Sequence, residues 1–153
     1  MYVDLLIVAI VAAGLMVGNE LTVAAFLHPT LRQTQDSLHA PLRRSFATLF
    51  GRVMPFWYAA VFLLTAGAAW TGPPHSSLAG ELLLASSILW LLAIVFSLIS
   101  PAPLNKRIAQ WQLEKLPANW RDEAARWDRM HAARMFLLLA ALICLVAGGV
   151  IRS

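Results

Sequence analysis

A row of aromatic and basic side chains precedes the last hydrophobic stretch of the chain. Trp127, His131 and Arg134 follow one another at spacings of four and three residues, which places them on one face of an α-helix. An imidazole takes up and releases protons near neutral pH, and a guanidinium binds anions. The row therefore suits a polar site, and it also suits an aromatic belt with an arginine that reaches the lipid headgroups. The complete row is Trp120, Ala124, Trp127, His131, Arg134 and Leu138.

A second polar group lies inside the first hydrophobic stretch, where Asn19 and Glu20 are neighbours. A carboxylate in hydrocarbon costs about 2.5 kcal/mol or more, so this pair must face the interior of a helix bundle or a hydrated cavity. Both residues lie roughly 12 Å from the end of the stretch, at a rise of about 1.5 Å per residue. Arg134 enters the membrane from the same side and is the nearest candidate counter-ion. The alternative is a Glu20–Arg134 pair, or a protonated Glu20, that only fixes the register of the helices.

The composition places these residues in a membrane protein. Hydrophobic residues make up 59% of the 153 residues and charged residues only 13%, which is about half the charge of a soluble domain. Four hydrophobic stretches are long enough to span a bilayer: 3–27, 53–70, 79–100 and 132–151. The predicted fold is all-α, an integral membrane four-helix bundle with short cytoplasmic amphipathic helices. Residues 1–153 are predicted to form a single membrane-embedded domain, with the lipid bilayer as a partner.

The basic residues fall on one side of this bundle. Ten of the twelve Lys and Arg residues lie between spans one and two or between spans three and four, whereas the segment TGPPHSS between spans two and three has none. The positive-inside rule therefore places both basic segments in the cytoplasm and both termini outside. This distribution explains the net charge of +4 without a nucleic-acid partner. The predicted location is a bacterial inner membrane.

Short helices are predicted in the connecting segments. Apolar residues at helical spacing predict an amphipathic helix over 41–53, which lies on the membrane surface or continues into span two. Pro101 and Pro103 predict a bend, followed by a short helix over 105–116. A further helix is expected to begin at Asn119, which can cap it, and to run without a break into span four.

Two glycines in span one predict a close contact between helices. Gly14 and Gly18 are four residues apart, a spacing at which small residues let two helices approach each other. Packing within the bundle is the expected role, and dimerisation is the alternative.

A metal site is not predicted. His28, His39 and His131 are all expected on the basic side, but no two of them are three or four residues apart, as ligands on one helix would be. The chain also lacks a glycine-rich phosphate loop and a C-x-x-C motif.

Four short segments together resemble a known family of small membrane proteins. They are HPTL after span one, RVMP at the start of span two, PLNKRIAQW after span three and RWDRMHAAR at the start of span four. With its four spans, the chain resembles the anthrone oxygenase family over nearly its whole length. The most specific parts are 103–111, which contains Asn105, and 127–134, which contains His131.

The resemblance implies a reaction and a set of site residues. It implies the oxidation of a polycyclic phenolic anthrone, a small hydrophobic aromatic substrate, to an anthraquinone by dioxygen without a flavin or haem. His131 is then the base that removes a proton from the substrate CH₂ group, and Arg134 and Asn105 donate hydrogen bonds to the enolate oxygen. The remaining predicted site residues contact the substrate or line its pocket: Trp111, Trp127, Asn19 and Glu20.

Two other functions are compatible with the same residues. An oxidase that depends on haem or on a metal ion would use His131 or His28 as a ligand. A lipid-binding or ligand-binding membrane subunit without catalysis would use its polar groups only to fix helix packing. A homo-oligomer is compatible with every one of these functions.

The charge distribution makes the orientation testable. In a Cys144→Ala background, single cysteines at Ser77 and Asp36 are expected to react differently with an impermeant maleimide on intact cells. Ser77→Cys is expected to be labelled and Asp36→Cys to be protected, because the basic segments lie on the Asp36 side. The reverse labelling pattern would place the basic segments outside the cell.

Overall fold

The computed structural model describes residues 1–151 and is mostly helical. Its helices in chain order are α1 (Tyr2–Thr22), α2 (His28–Gln33), α3 (Asp36–Thr71), α4 (Leu78–Ile99), α5 (Pro101–Ala109) and α6 (Trp120–Val150), with a π-helical segment, Val23–Leu27, between α1 and α2. No strand occurs within these 151 residues. The predicted all-α class is confirmed.

Four segments are long and apolar enough to cross a membrane, as the four predicted spans require. They are Tyr2–Gln33, Asp36–Thr71, Leu78–Ile99 and Trp120–Val150. The outward faces of these helices carry large hydrophobic side chains, and Phe56, Ile99 and Phe136 are each mostly exposed. Such faces require an apolar surrounding, which a lipid bilayer supplies.

The four spans enclose an apolar core in which small residues let neighbouring helices approach closely. The contact between α4 and α6 is the clearest example, because a Cβ atom at Gly148 would lie 3.0 Å from the carbonyl oxygen of Ala79. Nearby, Ser86 Oγ donates a hydrogen bond to the carbonyl of Ala141 at 2.8 Å. Trp90 is fully buried in the same core.

The first membrane helix does not end at residue 27, where the sequence predicted it to end. It continues through the π-helical segment to Gln33, and in this wider turn the His28 N–H bonds to the carbonyl of Val23, five residues back. Pro29 follows directly, and in a regular α-helix a proline ring clashes with the carbonyl four residues back. The wider turn before Pro29 therefore explains how the chain remains helical.

The connecting helices also differ from the predicted ones in their bounds. The amphipathic helix predicted over 41–53 is the first part of α3 and continues into span two without a break. Helix α5 begins at Pro101 rather than at residue 105, because the first turn of a helix does not need the N–H that proline lacks. It ends at Ala109. Asn119 precedes α6 as predicted, but its side chain makes no capping hydrogen bond.

The close packing predicted for Gly14 and Gly18 is wrong. A Cβ atom at either position would have no atom within 4 Å. Helix α1 instead buries a different face, which carries Ala9, Ala13 and Met16. The two glycines take no part in a close contact between helices of this chain.

A second cluster of buried side chains lies at the end of the bundle that carries the basic segments, the basic end. Helix α5, the segment after it, the π-helical segment and the first parts of α3 and α6 form it. Its buried members are Val23, Ala40, Ala47, Leu104, Ile108, Trp111, Trp120, Ala124 and Trp127. Because Trp127 belongs to this cluster and Leu138 to the membrane core, His131 and Arg134 lie between the two clusters along α6.

A methyl group at Gly80 tests the packing of the start of α4 against the segment between α3 and α4. Its Cβ would overlap backbone atoms of Pro73 and Pro74, so Gly80→Ala is expected to lower the free energy of unfolding by about 1–3 kcal/mol. Gly14→Ala is the matched control and is expected to be neutral or stabilising, because its surroundings are open and alanine favours a helix. Unfolding of both variants in one detergent measures the difference. An equal loss in the two variants would contradict the described packing.

Candidate functional site

A cavity of about 470 Å³ lies among α1, α3, α4, α5 and α6, near the basic end. Small-molecule sites typically have volumes of roughly 300–1,000 Å³. Six of the seven residues predicted for the site line this cavity: Asn19, Glu20, Asn105, Trp127, His131 and Arg134. The fold therefore brings into one chamber residues that are more than one hundred positions apart in the sequence.

The polar wall of the cavity is centred on a hydrogen-bonded group of Glu20, His131 and Arg134. Arg134 Nη2 donates to Glu20 Oε2 at 2.7 Å and lies 3.1 Å from His131 Nδ1. The same Glu20 oxygen is 3.4 Å from His131 Nδ1. All three side chains are buried. The counter-ion that the sequence predicted for Glu20 is thus in contact with it.

The partners of the imidazole define its protonation state. His131 Nε2 lies 3.1 Å from the backbone carbonyl of Glu20, which can only accept a hydrogen bond, so Nε2 carries a hydrogen. Nδ1 faces an N–H group of Arg134, which can only donate, so Nδ1 is the acceptor. The hydrogen-bond pattern with Arg134 and the Glu20 carbonyl fits a neutral imidazole whose Nδ1 lies between a guanidinium and a carboxylate.

Helices α1, α3 and α4 hold this group in place. The Glu20 carbonyl that accepts from His131 lies three residues before the π-helical segment, where the hydrogen bonding of the helix changes. Arg134 Nη1 donates to Ser97 Oγ at 3.3 Å, and the guanidinium lies 5.3 Å from the centre of the Tyr58 ring, a cation–π distance. The arginine is therefore oriented by residues from three other helices.

Asn105 reaches the cavity from α5. Its Nδ2 donates to the carbonyl of Ala47 at 2.7 Å. A Cβ atom at Gly51 would lie 3.0 Å from the same nitrogen, so the missing side chain at Gly51 makes room for the amide. Asn105 Oδ1 is buried and has no hydrogen-bond partner within residues 1–151. The amide thus keeps one N–H hydrogen and its oxygen uncommitted.

The two tryptophans predicted to contact a substrate have different positions. Trp127 lines the cavity and stacks on His131, with ring centroids 5.1 Å apart and an interplanar angle of 22°. Trp111 does not line the cavity, so its predicted contact with substrate is not supported by its position. Its Nε1 donates to Glu123 Oε2 at 3.1 Å, and its ring packs edge-on against Trp120. Trp111 thereby holds the segment after α5 against α6.

The sequence reasoning missed a second buried charged group, centred on Asp128. Its carboxylate accepts hydrogen bonds from Arg43 at 2.7 Å and from Arg32 at 2.9 Å, and it lies 3.5 Å from His28 Nδ1. Asp128 lies three residues before His131, so it shares the buried face of α6. That spacing was the one signal in the sequence that could have identified it.

Three further polar residues line the cavity without having been predicted: Tyr58, Ser97 and Lys106. Tyr58 and Ser97 lie within apolar spans and belong to no motif, so only the tertiary structure reveals them. The Tyr58 hydroxyl is buried and has no hydrogen-bond partner in the described part of the chain.

One wall of the cavity consists of residues that are exposed on the outside of the bundle. They are Gly51, Pro55 and Ala59 on α3, Leu98 on α4, and Pro103 and Lys106 on α5. Lys106 is charged, and the other five are apolar. The cavity therefore opens sideways from the bundle through a mostly apolar flank that carries one lysine.

The surroundings of His131 and His28 bear on the alternative role of a haem or metal ligand. Both ring nitrogens of His131 are engaged by Glu20 and Arg134. His28 does not line the large cavity, and the second cavity, which it does line, has a volume of only about 10 Å³. No group of three or more His, Cys, Asp or Glu residues among residues 1–151 is arranged to hold a metal ion. Neither histidine thus belongs to a preassembled set of three metal ligands in the described part of the chain.

Comparison with known proteins gives one functional indication. A family model described as anthrone oxygenase matches residues 43–144 of the chain. The matched range contains Asn105, Trp127, His131 and Arg134, and Glu20 lies before it. No curated protein and no solved structure matches.

The buried pair of Glu20 and Arg134 is testable by a double-mutant cycle. Arg134→Ala is expected to destabilise the protein by about 3 kcal/mol or more, because it leaves a buried carboxylate without its counter-ion. Adding Glu20→Gln is expected to recover part of this loss. Unfolding of the single and double variants in detergent measures the coupling.

The exposed pair of Arg121 and Asp36 is the matched control for this cycle. Arg121→Ala is expected to leave the free energy of unfolding almost unchanged, since water and salt screen an exposed pair. Additive effects of Arg134→Ala and Glu20→Gln would contradict the described contact.

Proposed function

Because the chain belongs to the anthrone oxygenase family, we propose that it oxidises a flat phenolic substrate, an anthrone or a molecule of similar shape, with dioxygen in the large cavity. The observation that carries the proposal is the group of Glu20, His131 and Arg134 on the wall of a chamber of small-molecule size. This group combines a proton acceptor with a donor for an anion, and an anthrone requires both.

The first step of the proposed reaction is a proton transfer from the substrate. An anthrone has a CH₂ group between two aromatic rings and opposite a carbonyl, so its loss of a proton gives a conjugated enolate. His131 Nδ1 is the acceptor nitrogen of the imidazole and takes this proton. The resulting imidazolium then lies against the Glu20 carboxylate, which is 3.4 Å away and stabilises its charge.

Arg134 provides the donor for the enolate oxygen. In the substrate-free protein its Nη2 bonds to Glu20 and contacts His131 Nδ1. When an anionic oxygen enters the cavity, this N–H can turn toward it, and Nδ1 is then free to accept the proton. Asn105 offers a further N–H from α5, as in other sites that stabilise an oxyanion.

Dioxygen completes the reaction without another redox partner. The enolate transfers an electron to dioxygen, and recombination of the two radicals forms a carbon–oxygen bond and a hydroperoxide at the former CH₂ carbon. The hydroperoxide loses water and leaves a carbonyl. The proton held by His131 is transferred to the peroxide oxygen when the hydroperoxide forms. One dioxygen is consumed and one water is formed for each CH₂ group.

The apolar flank of the cavity supports a substrate that arrives from the bilayer. A flat aromatic molecule partitions into lipid, and five of the six exposed residues of this flank are apolar, with Lys106 as the sixth. The concentration of arginines and lysines at the basic end supports an orientation with this end in the cytoplasm. A bacterial inner membrane remains the proposed location.

A binding protein without catalysis is the second candidate. The observation in its favour is that Glu20, Arg134 and His131 satisfy one another in the substrate-free protein. A lipid or apolar ligand could then occupy the cavity while the polar group only fixes helix packing.

The proposed reaction predicts that His131→Gln slows turnover. Glutamine is close to histidine in size but is not a base at neutral pH, so the bundle is expected to fold and the oxidation rate to fall by about 10² to 10⁴. The measurement is the rate of anthrone oxidation in detergent, corrected by a protein-free blank, because anthrones also oxidise slowly without a catalyst.

His39→Gln is the matched control, because His39 is also buried but does not line the cavity. It is expected to keep the parental rate. A His131→Gln protein that folds and oxidises an anthrone at the parental rate would show that His131 is not the base. If the parent does not exceed the blank with any anthrone, the binding function becomes the better account.

A further inference from the structure

A second cavity, with a volume of about 10 Å³, lies beside the first at the basic end. Four of the residues that line it have polar groups in their side chains: His28, Arg43, Asn105 and Trp127. The other residues of its wall are apolar. Asn105 and Trp127 line both cavities, so they form part of the partition between them.

All four polar side chains have a buried atom without a hydrogen-bond partner among residues 1–151. These atoms are His28 Nε2, Arg43 Nε and Nη2, Asn105 Oδ1 and Trp127 Nε1. Buried polar groups in native proteins are nearly always hydrogen-bonded, because an unpaired group loses its hydration without compensation. Four such groups around one small cavity indicate a ligand that bonds to them.

The four groups divide into acceptors and donors. Asn105 Oδ1 is an acceptor. His28 Nδ1 faces the Asp128 carboxylate at 3.5 Å, which can only accept, so Nδ1 carries the hydrogen and Nε2 is an acceptor. The unpaired nitrogens of Arg43 and Trp127 can only donate. The residues that line the cavity therefore carry two unpaired acceptors and at least two unpaired donors.

We propose that this cavity binds one ordered water molecule. Its volume is close to the roughly 10–15 Å³ that a single water requires, and such a water needs two to four polar partners. A water molecule donates two hydrogen bonds and accepts two, so it matches all four side chains. An anion would be repelled by the two acceptors, and a metal cation by the donors of Arg43 and Trp127.

The water links the large cavity to the buried Asp128. It bridges Asn105 Oδ1 and His28 Nε2, and the other nitrogen of His28 faces Asp128. With Nδ2 bonded to Ala47 and Oδ1 bonded to the water, the Asn105 amide has one orientation, in which its second N–H is free for a substrate. This consequence rests on the proposed function. His28 is then a positioning residue, because it acts on Asn105 through the water.

The water itself is tested in the parent protein without substrate. The measurement is NMR spectroscopy of isotope-labelled protein in micelles. The indole N–H signal of Trp127 is assigned by its loss in Trp127→Phe. We expect magnetisation transfer between this N–H and a long-lived bound water. Trp90 is the matched control, because its Nε1 is also buried and without a partner but lines neither cavity. No transfer at Trp127, or equal transfer at Trp90, would overturn the water site.

The positioning role is tested by kinetics on three variants. His28→Phe removes the acceptor for the water, and kcat is expected to fall by about 10-fold to 100-fold with little change in KM, because a misplaced donor matters most in the transition state. His28→Gln keeps an acceptor and is expected to recover most of the rate. His39→Phe replaces a buried histidine outside both cavities and is expected to keep the parental kcat.

The outcomes separate this inference from the proposed function. If His28→Phe and His39→Phe have the same kcat, the positioning role is wrong even when the water is bound. If the parent does not oxidise an anthrone, the proposed function fails, and the Trp127 signal still decides whether the water is present. If the parent is active and Trp127 shows no transfer, the water site alone is wrong.

Discussion

The burial of the Glu20 carboxylate in the membrane-spanning part of the bundle is the constraint on which the rest of the site depends. Glu20 is 1% exposed, and a charge at that depth is tolerated when it is paired and hydrogen-bonded. Arg134 supplies the pairing charge at 2.7 Å. Because Glu20 lies on α1 and Arg134 on α6, their contact fixes how both helices are rotated about their axes. That rotation also turns His131 and Trp127, which precede Arg134 by one and two helical turns, into the same chamber.

A second buried carboxylate, Asp128 on α6, applies the same constraint at the basic end. Asp128 is buried and is neutralised by Arg43 from α3 and by Arg32 from α2. Helix α6 is thus tied to α1 by one buried ion pair and to α2 and α3 by another. His131 lies between these two attachments. An imidazole held in this way on a helix keeps its orientation better than one on a loop, which is what a proton acceptor requires.

Features that depend on local periodicity could be predicted from the sequence. The four spans and the buried row on α6 follow from the spacing of apolar residues, and the partner of Glu20 follows because few charges lie at its depth. Asp128 was missed although it lies three residues before His131, because it lies among other charged residues in a segment whose composition is that of an ordinary surface. Trp111 was assigned to the wrong environment, because an indole near a predicted site packs equally well on a ligand or on another part of the protein. The surroundings of Asp128 and of Trp111 are determined by tertiary contacts.

The energetics of the Glu20–Arg134 pair favour a use of its charges in the cavity. A buried ion pair contributes little net stability, and well-packed apolar residues of similar volume often do as well or better. Apolar packing such as that of Trp90 could therefore fix the helices without a charge. An arginine that is held in place by Glu20 and Ser97 before any substrate binds has a different advantage, because its donors need little reorganisation when negative charge develops nearby. The carboxylate makes the arginine compatible with the membrane interior, and in the proposed reaction the same contact prepares the arginine to bind an anionic oxygen there.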